Sequence, residues 1–267
     1  MRIPHDYHVH SSFSFDCDVP LEEVCERAIA LGIPEICITE HVDFVPGDPS
    51  TGYFQPEAYF AAIEACREKY GDRLIIRAGA EMGEPHRFPY ESEILADEYP
   101  FDFILGSLHW VRDEMVLQRD YFLHRSPREA YEAYFEELYT MVRVGGFDVL
   151  GHLDVVKRYG FDVYGSFDPK TYEEPIREVL RACVEVGIGL EVNTSTLRRP
   201  VQQPSPPLTV LQWYREMGGE IITLGSDAHT LEDLGYALED MVALLKQAGF
   251  THVASFTDHQ PHFVPLP

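Results

Sequence analysis

Three short motifs each place two metal-binding side chains two residues apart in the sequence. They are His8-x-His10, His152-x-Asp154 and Asp227-x-His229. On an extended strand, side chains two residues apart point to the same side, so each pair can offer two ligand atoms to one ion. One such pair is typical of two half-exposed histidines on a surface. Three repeats of the spacing are difficult to obtain from a solvated surface, and they predict a metal site.

Further groups of the same kind follow the other segments that have the composition of strands. They are Glu40, His41, Glu81, His109 and Asn193. In a parallel barrel the carboxyl ends of the strands share one face, so we expect all these side chains to converge. They exceed what one catalytic zinc needs, since it takes about three protein ligands. We therefore expect two or three ions, and the mixed nitrogen and oxygen donors suit zinc, iron or manganese.

The strands that must position these groups are short and alternate with helical patterns. Seven segments have the apolar, β-branched composition of buried strands. They lie at residues 6–9, 35–39, 74–80, 101–105, 147–151, 188–192 and 221–225. Repeated strand-then-helix order predicts parallel strands joined by right-handed crossovers, and seven such units close more easily into a barrel than they form an open sheet. We predict an α/β fold, a (β/α) barrel of about seven strands, in one domain over residues 1–267.

The composition limits the class of partner. Of 267 residues, 45% are hydrophobic and 25% are charged, which is the balance of a folded globular chain. The formal charge of −24 repels nucleic acid and anionic membrane surfaces. The amino-terminal segment lacks the apolar region of a signal peptide, and no apolar run approaches about 18 residues. Five scattered cysteines without a CxxC pair favour a reducing cytoplasm, and a homo-oligomer is compatible with the sequence.

Motifs at these strand ends resemble the polymerase-and-histidinol-phosphatase (PHP) family of phosphoesterases. The motifs are DYHVHSSFSFD (6–16), ITEHVDF (38–44), GAEMG (79–83), GSLHW (106–110), GHLDVVKRYG (151–160), EVNTS (191–195) and GSDAH (225–229). The resemblance spans almost the whole chain. It implies a distorted (β/α)7 barrel with a trinuclear metal site at the carboxyl ends of the strands, which agrees with the seven strand candidates.

Carried over to this sequence, the family pattern implies three sets of ligands. The first ion takes His8, His10, Glu81 and Asp227; the second takes Glu81, His109 and His152; the third takes Asp16, His41 and His229. Glu81 then bridges two ions. Family members carry either His or Asp at the position of Asp16, which leaves the third ion the least constrained. The neighbouring Glu40, Asp154 and Asn193 are expected to orient ligands rather than to bind metal.

Within the family, the chain resembles the stand-alone histidinol-phosphate phosphatase branch. The length suits a barrel without polymerase modules, and the segments FSFDCD, SLHW, GHLDVVKRYG and GFTHVASFTDHQP carry the likeness. The resemblance implies hydrolysis of L-histidinol phosphate to L-histidinol and phosphate in histidine biosynthesis, by attack of a metal-activated hydroxide on phosphorus. Arg158 and Arg198 are the candidates for binding the phosphate, because a guanidinium makes planar, bidentate contacts. The sequence assigns no general acid.

Three alternatives have different chemistry. One is a PHP phosphoesterase that acts on another small phosphate ester or on DNA ends, although the charge of −24 disfavours DNA. Another is a PHP module that has lost catalysis, which the complete set of ligand types disfavours. A third is an amidohydrolase, in which a carboxylated lysine at the end of a middle strand bridges the metals. None of the four lysines lies at such a position: Lys69, Lys157, Lys170 and Lys246.

Overall fold

The computed structural model describes residues 3–267, in which strands and helices alternate along most of the chain. The strands are β1 (Asp6–Val9), β2 (Glu35–Val42), β3 (Ile75–Gly83), β4 (Phe103–Ser107), β5 (Trp110–Val111), β6 (Glu114–Met115), β7 (Val149–Leu150), β8 (Gly189–Asn193), β9 (Ile222–Gly225), β10 (His252–Thr257) and β11 (Gln260–Pro265). The α-helices are α1 (Leu21–Leu31), α2 (Pro56–Tyr70), α3 (Pro89–Glu98), α4 (Asp120–Leu123), α5 (Pro127–Val144), α6 (Lys157–Tyr164), α7 (Glu173–Val186), α8 (Leu208–Glu216) and α9 (Leu238–Ala248). Seven strands form one parallel sheet in the order β1-β2-β3-β4-β7-β8-β9. The predicted architecture of seven parallel strands with intervening helices is confirmed.

The sheet curves until its two edge strands meet, which makes it a nearly closed barrel. A parallel bridge joins Val9 to Ala228, just beyond the end of β9. The amide of His10 donates to the carbonyl of Ala228 over 3.0 Å, and the amide of Asp227 donates to the carbonyl of His8 over 2.8 Å. These bonds fix the His-x-His segment against the backbone of the Asp-x-His segment, so closure of the barrel itself brings two of the three motifs together.

The helices pack around the barrel on amphipathic faces. α5 begins with a capping box, in which the Ser126 side chain accepts from the amide of Glu129 and the Glu129 carboxylate accepts from the amide of Ser126. Its buried face includes Tyr131, Phe135 and Leu138, which lie at helical spacing. Hydrophobic stripes of this kind are used for packing, which leaves the polar strand ends to form the site. Within the described residues, no helix is both long and apolar enough to cross a membrane.

A carboxyl-terminal hairpin of β10 and β11 packs against the barrel through an apolar cluster to which β10 and the barrel strands both contribute. The cluster consists of Tyr7, Cys37, Phe103, Leu105, Val149, Ala254 and Phe256. The Tyr7 hydroxyl accepts from the amide of Phe256 over 2.7 Å and donates to Glu35 Oε1 over 2.7 Å, which ties the hairpin to β1 and β2. Glu35 begins β2, so this contact lies toward the amino ends of the strands. The strand candidates in the sequence do not include this hairpin.

A second hairpin, made of β5 and β6, follows β4 and lies beside the strand ends. Trp110 Nε1 donates to Asp48 Oδ2 over 2.7 Å, which ties this hairpin to the loop after β2. The Glu84 carboxylate accepts from the backbone amides of His109 and Trp110. These contacts fix the segment between β4 and β5, which carries His109. This hairpin, too, lies outside the strand candidates in the sequence.

Candidate metal centre

The predicted ligands converge at the carboxyl ends of the strands. Three groups of side chains each place their ligand atoms within 4.8 Å of one another. The groups are His8, His10 and Asp227; Glu81, His109 and His152; and His10, His41 and His229. All members of the first two groups are buried, whereas His41 and His229 are partly exposed. The structure therefore brings together side chains from six of the seven barrel strands or the residues just after them.

Several buried atoms in this cluster have no hydrogen-bond partner among the described residues. They include Nε2 of His8, Nε2 of His10 and Oε2 of Glu81. A buried polar atom left unsatisfied costs roughly 1–3 kcal/mol, so a native site that contains several such atoms requires an explanation. Imidazole nitrogens and carboxylate oxygens are metal ligands, and one coordinated ion would satisfy these atoms together. The donor set therefore fits a metal ion.

Glu81 lies between two of the groups and faces them with different oxygen atoms. Its Oε2 is 3.2 Å from His8 Nε2 and 3.5 Å from His10 Nε2. Its Oε1 is 2.8 Å from His152 Nε2 and 3.4 Å from His109 Nε2. Burial raises the pKa of Glu81, but the surrounding imidazoles outweigh burial and hold that pKa well below its usual value. An ionised carboxylate in this position suits the predicted bridge between two cations.

The third predicted ligand set comes together at the more exposed side of the cluster. Asp16 Oδ2 lies 3.2 Å from His229 Nε2, and Asp16 Oδ1 lies 3.6 Å from His41 Nε2. The His10 ring stacks on both imidazoles, with centroids 4.1 Å from His229 and 4.4 Å from His41. The Asp16 side chain is 36% exposed, against 1% for Glu81. Of the three predicted ligand sets, this one is the most open to solvent.

Glu191 on β8 orients two of the predicted ligands, and the sequence reasoning missed it. Glu191 Oε1 accepts from His8 Nδ1 over 2.6 Å, and Glu191 Oε2 accepts from the amide of His152 over 2.7 Å. A neutral His8 that donates its Nδ1 proton to Glu191 would present an unprotonated Nε2 to a metal ion. Asn193 donates to both Glu191 oxygens and, over 3.4 Å, to Asp227 Oδ2. Alternation along the strand could have revealed Glu191, because it precedes Asn193 by two residues.

We expect Glu191→Gln to weaken metal binding at His8 while every predicted ligand stays in place. The amide carries no charge and can turn an NH2 group toward His8 Nδ1, which disfavours the tautomer that leaves Nε2 free. Loss of such a partner typically lowers metal affinity or activity by about 10–100-fold. Competition with a chromophoric chelator measures the affinity. Glu35→Gln, a buried glutamate at the start of β2, is the control and should keep wild-type affinity; equal affinities in both variants would contradict the orienting role.

Glu40, which was predicted to orient ligands, acts through two serines. Its carboxylate accepts from the Ser11 hydroxyl over 2.5 Å and from the Ser14 hydroxyl over 2.6 Å. The Ser14 oxygen lies 3.0 Å from His10 Nδ1 and accepts from the amide of His41 over 3.0 Å. Ser14 therefore holds two of the predicted ligand segments. The sequence reasoning did not identify it, because a serine among several in SSFSF has no distinguishing spacing.

Asp154 contacts none of the predicted ligands, and the prediction that it orients one of them is wrong. Its carboxylate binds Lys157 and the hydroxyl of Ser205. The reason is the local backbone: β7 ends at Leu150, and His152 to Asp154 lie in a turn instead of an extended strand. Side chains two residues apart therefore do not share a face here. His152 enters the cluster, whereas Asp154 does not.

The metal cluster lines a cavity of about 480 Å³, together with three arginines. Arg158, Arg198 and Arg199 share this lining with the apolar Leu117 and Val155. The guanidinium of the half-buried Arg158 lies over the Tyr159 ring and makes no hydrogen bond or ion pair with any residue in the described part of the chain. Burial lowers the pKa of Arg158, and the nearby cations of Arg199 and Arg198 lower it further. A guanidinium with free donors beside a metal cluster suits the predicted contact with a phosphate.

Arg198 also lines the cavity, but its guanidinium is already bound to the protein. Nη1 donates to the carbonyl of Ser226 over 2.9 Å, Nη2 donates to the carbonyl of Asp227 over 3.0 Å, and Nε lies 3.3 Å from Asp233 Oδ1. Asp227 has a φ of +54°, a left-handed conformation that is uncommon for a residue other than glycine. Arg198 therefore supports the backbone of a predicted metal ligand. Its contact with a phosphate stays a prediction.

Comparison with known proteins identifies the family. Residues 6–195 match the model of the PHP domain. The chain belongs to the PHP family. Histidinol-phosphatase from Lactococcus lactis subsp. lactis is 33% identical to this PHP chain over 94% of each protein. A probable histidinol-phosphatase from Thermotoga maritima is 29% identical, over 93% of this chain and 94% of its own length.

A solved structure extends the likeness to the whole PHP barrel. It is histidinol phosphate phosphatase from Lactococcus lactis subsp. lactis in complex with zinc, L-histidinol and phosphate. This structure is 32% identical, has a TM-score of 0.90, and covers 97% of this chain and 99% of its own. The predicted family and fold are confirmed, and so is the prediction of a metal-dependent protein whose clusters can hold more than one ion. The assignment of each ligand to an ion stays a prediction.

Proposed function

We propose that residues 1–267 form one PHP-type barrel domain that hydrolyses L-histidinol phosphate to L-histidinol and phosphate, a step of histidine biosynthesis. The observation that carries this proposal is a cluster of metal-binding side chains that shares one cavity with an arginine free to bind an anion. The substrate is supported by the relatives, since histidinol-phosphatase matches over 94% of the chain and the similar structure holds L-histidinol and phosphate beside zinc.

The side chains of the site have separate tasks in this reaction. When bound, the metal ions lower the pKa of water and offset the negative charge of the phosphate. Arg158 binds two phosphoryl oxygens through parallel N–H donors and holds the phosphorus toward the cluster. Leu117 and Val155 offer apolar contacts to the carbon skeleton of the ester. Glu191 accepts from His8 Nδ1 and so favours the tautomer whose Nε2 is available to a metal.

A small anion suits this site better than a polymer does. A cavity of about 480 Å³ lies within the range of small-molecule sites, which is roughly 300–1,000 Å³. The cavity places three arginines beside a cluster that would gain positive charge from bound metal ions, whereas the chain as a whole carries −24 and repels a polyanion. We therefore propose neither a nucleic-acid partner nor a membrane partner. The five unpaired, buried cysteines favour the reducing cytoplasm as the setting.

A panel of phosphate esters tests the proposed substrate. We expect the metal-loaded protein to hydrolyse L-histidinol phosphate with a far higher kcat/KM than other small phosphomonoesters, and to lose this activity on chelation. Release of inorganic phosphate is the measurement, and 3′- and 5′-phosphorylated oligonucleotides belong in the panel. Equal rates on all esters, or activity only on DNA ends, would assign the site to another phosphoester while leaving the metal cluster intact.

A further inference from the structure

A buried ion pair lies beneath the arginines of the cavity. Asp154 and Lys157, here called the buried pair, have fully buried side chains, and Lys157 Nζ donates to Asp154 Oδ2 over 2.7 Å. Lys157 Nζ also donates to the carbonyl of Pro204 over 2.7 Å, and the other carboxylate oxygen of Asp154 accepts from the Ser205 hydroxyl. Two apolar residues of similar volume often stabilise a fold as well as such a pair does, so stability alone does not account for these charges.

The loop that the buried pair binds carries two arginines. Its ends meet in a reciprocal backbone pair: the amide of Asn193 donates to the carbonyl of Ser205 over 2.7 Å, and the amide of Ser205 donates to the carbonyl of Asn193 over 3.0 Å. The segment between these residues is thus closed at its base. Arg198 and Arg199 lie within it and line the cavity. The buried pair holds the base of this closed loop through Pro204 and Ser205.

Arg158, the third arginine of the cavity, follows Lys157 of the buried pair directly in the chain. α6 begins at Lys157, and Arg158 is its second residue. Successive helical residues point about 100° apart, so Lys157 reaches the base of the loop while Arg158 lines the cavity. Arg158 lies close enough to Arg198 and Arg199 for their charges to affect it. Like charges repel, and the carboxylate of Asp227 offsets part of this repulsion. A fixed contact between α6 and the loop therefore helps to keep the three guanidinium groups close together.

We propose that the buried pair is a positioning device for phosphate binding, which sets the distance between Arg158 on α6 and the arginines of the closed loop. Neither Lys157 nor Asp154 forms a hydrogen bond or ion pair with a predicted metal ligand, so we expect the arginines to carry their effect on phosphate binding. Recognition of a small anion by groups from two segments requires placement within about 0.5 Å. A displacement of about 1 Å can reduce a rate by about 10²-fold. The inference rests on the proposed function to the extent that the anion is a phosphate.

Removal of both charges tests the device without leaving one of them unpaired. In Asp154→Leu/Lys157→Met, we expect the metal content to stay at the wild-type level. The Kd for inorganic phosphate, measured by calorimetry on the metal-loaded protein, and the KM for L-histidinol phosphate should each rise about tenfold, with a smaller change in kcat. Ser205→Ala keeps the ion pair and the Lys157 bond to the carbonyl of Pro204 but removes the hydroxyl bond to Asp154, so it should shift both constants in the same direction by less.

The control is Arg67→Met, which breaks a half-buried ion pair with Asp102 at the amino end of β4. We expect it to lower the melting temperature and leave the phosphate Kd unchanged. A wild-type phosphate Kd in both test variants, or a rise that only accompanies loss of metal, would overturn the inference. If the double variant does not fold, the phosphate Kd of Ser205→Ala alone tests the inference. A wild-type protein that binds phosphate but does not hydrolyse L-histidinol phosphate would contradict only the proposed function, and one that binds no phosphate would overturn both.

Discussion

Glu81→Ala should remove at least two metal ions together and lower kcat by about 10³-fold or more. The two oxygens of Glu81 face different groups of imidazoles, His8 and His10 on one side and His109 and His152 on the other. Loss of the carboxylate therefore removes a ligand from two ions and leaves the buried cations without its charge. Metal analysis after dialysis, together with the rate of phosphate release, measures both effects.

Asp16→Ala provides the contrast for this prediction. Asp16 lies at the exposed side of the cluster beside His41 and His229, so its loss should affect one ion and reduce kcat by less than Glu81→Ala does. If Glu81→Ala keeps two ions while Asp16→Ala loses more than one, the predicted map of ligands is wrong. Equal loss of metal in the two variants would show that the three groups bind their ions as one cooperative unit.

Arg158→Ala should lower kcat/KM for L-histidinol phosphate by about 10–100-fold, because a hydrogen bond to a charged group contributes about 1.5–3 kcal/mol. The metal content and the melting temperature should stay near their wild-type values, since this guanidinium has no hydrogen bond or ion pair to lose among residues 3–267. Arg158→Lys keeps the charge but loses the planar fork, so it should recover only part of the activity. Steady-state kinetics measures the loss of kcat/KM, and metal analysis shows whether the metal content is unchanged.

Two other arginines serve as controls for Arg158. Arg128→Ala on the exposed side of α5 removes only a surface pair with Glu132, and it should leave the kinetics unchanged. Arg198→Ala should lower the melting temperature and the metal content as well as the activity, because Arg198 supports the backbone carbonyls of Ser226 and Asp227. Normal kinetics in Arg158→Ala would remove the assignment of this residue to the phosphate.

Most side chains of the site were predictable because short sequence segments identify them. A strand that ends in His, Asp or Glu can be recognised from a few residues, and parallel topology then requires such ends to share one face. His8, His41, Glu81 and Asp227 follow this logic, and the structure brings them into one cluster. The family resemblance added the grouping of ligands into sets, which spacing along the chain does not contain.

The errors and omissions have different structural causes. Asp154 was misjudged because β7 ends four residues earlier and the backbone turns. Glu191 was missed because it lies within a strand and not at its end, although its spacing to Asn193 places both side chains on the same face. Arg198 looks in sequence like any arginine after a strand, and only its contacts with Ser226 and Asp227 show that it also supports the metal cluster.

By itself, the sequence determined the seven-stranded barrel, the family, the metal chemistry and most of the side chains that meet in the cluster, because hydrophobic period and residue type are properties of short segments. Only the tertiary structure decided which donor atoms meet and which arginine is left free. Those outcomes depend on how the barrel closes between β1 and β9 and on how the buried pair joins α6 to a loop about 50 residues away. Contacts between distant segments follow from packing of the whole chain, and no local pattern in the sequence encodes them.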